Sequence, residues 1–66
     1  MIKVTRINGA ELLLNAELIQ TIESTPDTLI TLIDGKKLMV NENIDEVMKR
    51  IIDYRRKINL PELVEN

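Results

Sequence analysis

An Asp-Gly step between two apolar runs constrains this chain more than any other feature. It lies in the stretch Thr28 to Val40, TLITLIDGKKLMV. Asp34-Gly35 predicts a tight type I′ turn, because that turn needs positive φ at both central residues and these types tolerate it. The flanking runs then fold back as an antiparallel hairpin. Asn8-Gly9 repeats the signal between an Ile2–Ile7 strand and an Ala10–Leu14 strand. A chain committed to two hairpins before residue 41 is built on a β-sheet, and 66 residues leave room for one domain.

The remaining strands follow from period and punctuation. Leu12-Leu13-Leu14 is continuous rather than alternating, which predicts a strand covered on both faces. Asn15-Ala16-Glu17 reads as a corner or one turn of 3₁₀ helix, with the Asn15 side chain bonding nearby backbone. Leu18–Glu23 is a third strand, with Leu18, Gln20 and Ile22 on one face and Ile19, Thr21 and Glu23 on the other. In Ser24-Thr25-Pro26-Asp27, Pro26 suits position i+1 of a type I turn. The strand after the Asp34-Gly35 turn, Lys36–Val40, turns Leu38 and Val40 to one side. All strand connections are short, so neighbours should pair antiparallel. The expected class is α+β: a small, curved, antiparallel five-stranded β-meander with one C-terminal α-helix packed on it.

That helix opens at Asn43, a preferred N-cap, with Glu46 three residues on in the capping-box position. Ile44, Val47, Met48, Ile51, Ile52, Arg55 and Ile58 recur at helical spacing and form one stripe, apolar except for Arg55. Asp45–Lys49, Glu46–Arg50 and Asp53–Lys57 are acid-first i,i+4 pairs on the opposite face. Pro61 disfavours helix at Leu60, so the helix should stop by about Asn59. The domain is expected to span 1–58, with a C-terminal tail over 59–66.

Chemistry is sparse. The chain has no cysteine and no histidine, which removes disulfides, the commonest general base and the commonest metal ligand. Its two glycines sit in the hairpin turns, so no phosphate-cradling loop is present. Ser24 belongs to a turn. Glu42, Asp45 and Glu46 gather where they cap a helix and offset its positive end. No enzymatic activity, cofactor or metal site is expected. Tyr54 is the only aromatic residue, expected at the rim of an aliphatic core, with Met39 and Met48 filling that core. MIKVTR lacks the apolar region of a signal peptide, and no run approaches the roughly 20 apolar residues of a membrane span. A cytoplasmic protein is expected.

Charge is uneven although the net is only −2. Residues 1–33 are acidic, residues 34–58 hold seven Lys/Arg against five Asp/Glu, and the tail adds Glu62 and Glu65. The basic helix end raises two readings. One is a contact surface for a protein partner, formed by Lys49, Arg50, Asp53, Arg56 and Lys57 with Leu60 and Leu63 beside them. The other is a small barrel-like RNA- or DNA-binding module. The second is disfavoured, since single-strand binding normally uses several aromatic platforms. Apolar residues on both faces of the second and fourth strands also raise self-association.

Taken together, the opening Ile2-Lys3-Val4-Thr5-Arg6-Ile7-Asn8-Gly9, the Asn15-Ala16-Glu17-Leu18-Ile19 corner, the Glu23-Ser24-Thr25-Pro26-Asp27-Thr28 turn, Asp34-Gly35-Lys36-Lys37 and a capped helix ending Tyr54-Arg55-Arg56-Lys57-Ile58 resemble the FlbD/SwrD family of small bacterial flagellar and swarming-motility proteins. The resemblance covers Met1 to about Ile58. It implies a cytoplasmic, non-enzymatic accessory protein that supports the power of the flagellar motor through its stator. The implied partner is a motor or assembly protein. No catalytic or metal-binding residue is carried over.

Overall fold

A computed structural model describes residues 1–64, and the side chains of residues 1–58. Five strands and one long helix follow in order: β1 (Ile2–Thr5), β2 (Glu11–Leu14), β3 (Ile19–Ser24), β4 (Thr28–Leu32), β5 (Lys37–Val40) and α1 (Ile44–Val64). The α+β class and its five antiparallel strands are as expected. The meander, however, is divided. β1 pairs with β2, β3–β4–β5 form a second sheet, and β2 does not pair with β3. Between them Ala16–Leu18 makes a 3₁₀ turn, capped by Asn15 Oδ1 accepting from the Glu17 amide at 3.0 Å. That corner turns the chain out of the first sheet.

The sheets rejoin elsewhere. An antiparallel bridge links Arg6 to Val40, and the Asn41 amide donates to the Thr5 carbonyl at 2.8 Å. The end of β1 thus lies against the end of β5, and the strands curl into a partial barrel. Ile2, Val4, Leu14, Ala16, Ile30, Val40 and Val47 fill it, with Tyr54 at the rim as expected.

Both Asx-Gly turns form, but not as type I′. Gly9 and Gly35 have φ of 94° and 93°, and no other described residue has positive φ. The Gly9 amide bonds the Arg6 carbonyl, and the Arg6 amide bonds that of Ala10. Gly35 to Leu32 and Leu32 to Lys36 repeat the pattern. These are three-residue loops, a type I turn followed by a left-handed glycine. Asn8 and Asp34 stay at negative φ and accept from the amides two residues on, each at 3.0 Å. The longer loop lifts Ile7 and Ile33 out of the strands and leaves both exposed.

Other expectations change for local reasons. The register shifts between Ile19 and Thr21. This bulge breaks the period of two, so Ile19 and Ile22 both pack on the core. At the turn between β3 and β4 the Thr25–Pro26 peptide is cis and the Thr25 amide donates to the Asp27 carbonyl at 3.1 Å. Leu13 is 63% exposed, so β2 is covered on one face only. Met39 and Met48 are each 44% exposed and do not fill the core.

The helix departs from the expected stripe. Asn43 Oδ1 accepts from the Glu46 amide at 2.8 Å, which is the predicted cap. Val47 is fully buried, and Ile51 and Tyr54 pack beside it, while Met48, Ile52 and Ile58 are exposed. The buried face is therefore turned away from 48–52–55 and toward 47–51–54. α1 also continues through Pro61 to Val64, beyond the expected end near Asn59. Proline removes one N–H, but its fixed φ is itself helical, and the turns before it are already formed.

Candidate functional site

A group of hydrogen bonds and ion pairs joins β1 to α1 and to Glu42 just before it. The Glu42 carboxylate accepts from the Thr5 amide at 2.9 Å and from the Thr5 hydroxyl at 2.8 Å. Arg50 Nη1 donates to Glu42 Oε2 at 3.1 Å and to the Lys3 carbonyl at 2.6 Å, and Arg50 Nε donates to Glu46 Oε2 at 2.9 Å. Burial alone would raise the Glu42 carboxyl, but the Thr5 amide and hydroxyl, with Arg50 nearby, hold it below the ordinary value of 4.5. Glu46 and Glu42 in turn raise the Arg50 guanidinium. Glu46 is thus taken up by Arg50 rather than closing a capping box.

Arg50 is thus already bonded within the domain. It was expected on the free contact face, yet it is an internal tie between α1 and β1. Reversing its charge would place a carboxylate beside Glu42 and Glu46 and should destabilise the fold. Lys49, Asp53, Arg56 and Lys57 are exposed. Asp45–Lys49 and Asp53–Lys57 form no ion pair among the described residues. Asp53 and Lys57 border a cleft of about 220 Å³ with Met1, Ile2, Lys3 and Tyr54. The side chains of Leu60 and Leu63 lie outside the described residues.

A second surface lies along β2 and around Arg6. Leu12 and Leu14 of β2, Leu32 of β4 and Leu38 of β5 line a recess of about 390 Å³, rimmed by Arg6, Lys36 and Lys37. The three cations enter no ion pair among the described residues. Sequence reading assigned nothing here, because these residues come from strands far apart in the chain, and the end of β1 meets the end of β5 only in the folded structure. The available signal was that Arg6 and Lys36 each flank an Asx-Gly loop.

Among the described residues, no group of three acidic side chains gathers as a metal ion would need, and no helix is long and apolar enough to cross a membrane. These features define a small strand-and-helix protein whose surfaces offer charged and aliphatic contacts. The model of the FlbD family, described as Flagellar and Swarming motility proteins, matches residues 1–59. The chain belongs to that family. No curated protein and no solved structure matches it.

Proposed function

We propose that the chain is a non-enzymatic cytoplasmic accessory protein of bacterial flagellar motility that supports motor power through contact with a stator or assembly protein. The observation that carries this reading is the family match over residues 1–59. The helix contributes a compatible surface. Lys49, Asp53, Arg56 and Lys57 are exposed and hold no ion pair among the described residues, so binding would break no internal bond. Charged rim residues of this kind set specificity and association rate more than affinity.

The test is a motility measurement. In a swarming host lacking its own copy, Arg56→Glu with Lys57→Glu is expected to lower swimming force while thermal stability stays at the wild-type value. Full force from the folded double variant overturns this surface. Full force from a strain lacking the protein altogether overturns the motility role.

A further inference from the structure

The barrel leaves part of the helix stripe uncovered. Val47, Ile51 and Tyr54 of α1 pack on the core, but Met48 and Ile52 stay 44% and 47% exposed. Asp45 and Arg55 flank them along the axis. Both are exposed, and neither enters an ion pair among the described residues. Residues 45, 48, 52 and 55 follow at steps of three, four and three. At 3.6 residues per turn they share an arc of about 80° on α1. Steps of three and four are those of a heptad seam, the narrow stripe by which one helix packs on another.

The order of residues along the seam defines its occupant. It reads acid, apolar, apolar, base. Turned end for end, that order is its own complement. In an antiparallel pair of these helices, with a two-fold axis level with residue 50, Asp45 faces Arg55 and Met48 faces Ile52. Each contact then occurs twice, as a two-fold interface requires. A parallel pair would set Asp45 on Asp45 and Arg55 on Arg55, which like charge rejects. A uniformly acidic or basic partner would match one end of the seam and be repelled at the other. Arg55, the one charged member of the stripe, thereby gains a carboxylate.

We propose that two copies of this chain pair through antiparallel α1 helices. Met48 and Ile52 of each copy meet at the centre, and Asp45–Arg55 ion pairs close both ends. Apolar burial supplies the attraction, and the ion pairs fix the direction. From residue 45 to 55 the helix advances about 15 Å. So short a contact buries less than the roughly 1,000 Å² of a stable complex, and the dimer is a weak one. Arg50 lies about 180° round the helix from the seam, so pairing breaks none of its bonds. Asp53 and Lys57 also lie away from the seam, which leaves their cleft open to another partner.

Sedimentation equilibrium on the full chain, over a concentration series up to about 1 mM, tests the pairing. The wild-type mass is expected to rise from one copy toward two. Asp45→Lys alone and Arg55→Glu alone each set like charges together at both ends, and each is expected to stay monomeric. Ile52→Lys, which puts charge at the apolar centre, should stay monomeric too. None of these side chains belongs to the buried core, so thermal melting should find all three variants folded. The decisive sample is an equal mixture of the Asp45→Lys and Arg55→Glu proteins. Opposite charges meet at both ends of a mixed antiparallel pair, so the mixture should associate although neither component does. A wild type that stays monomeric throughout the series overturns the proposal. So does a single charge variant or Ile52→Lys that associates like the wild type, or a mixture of the two folded charge variants that stays monomeric.

Discussion

Removing the Glu42 carboxylate should test what holds the helix on the barrel. In Glu42→Ala, the Thr5 amide and hydroxyl lose an acceptor at 2.9 and 2.8 Å, and Arg50 loses one of its three partners. The Glu42 side chain is 10% exposed, so water replaces these bonds poorly, whereas Arg50 at 34% remains partly solvated. The ion pair itself is therefore screened and contributes little. Two hydrogen bonds to a part-buried charge dominate, and their loss costs about 2–3 kcal/mol. A domain of 66 residues has a total stability of roughly 3–10 kcal/mol, so this is a large share of it. The melting temperature should fall by roughly 10–20 °C. Urea denaturation at pH 7 measures the difference directly. Because the folded carboxyl titrates below its ordinary 4.5, its contribution is present in full above that value. It is lost as pH falls through the lower folded value, and the charge-dependent part of the difference between wild type and variant should shrink there. A variant within about 0.5 kcal/mol of wild type at pH 7, with unchanged denaturant slope, would refute the reasoning.

Further changes probe other parts of the fold. Ile30→Ala, at a fully buried site, should cost about 2–5 kcal/mol in the same denaturation assay, and a loss under 1 kcal/mol would mean the barrel collapses onto the vacancy. Gly35→Ala meets no atom within 4 Å but must hold φ near 93°, so a destabilisation of about 1–2 kcal/mol comes from backbone conformation alone; an unchanged unfolding midpoint would show that the loop relaxes. Arg50→Glu should destabilise the protein and Arg56→Glu should not, a contrast read by thermal melting.

Local signals carried much of this architecture. The Asx-Gly steps marked both hairpins, Asn15 marked the 3₁₀ corner, and Asn43 marked the helix cap, because each acts through bonds to backbone within a few residues. Local chemistry did not set details that depend on packing. Turn length at Gly9 and Gly35, the bulge after Ile19, and the rotation of α1 that buries Val47, Ile51 and Tyr54 all answer to the barrel interior. So did the candidate sites. The charged helix end was legible because its residues are neighbours at helical spacing. Arg50 looked like its neighbours in sequence, yet its position over β1 made it an internal tie to Glu42 and Lys3. The basic-rimmed recess was not legible, since Arg6 and Lys37 stand far apart along the chain. They share a rim only because the end of β1 bridges to the end of β5. Periodicity and turn chemistry are properties of short segments, and this chain's sequence determined those. The meeting of segments depends on how strands curl around a shared core, and only the tertiary structure decided that.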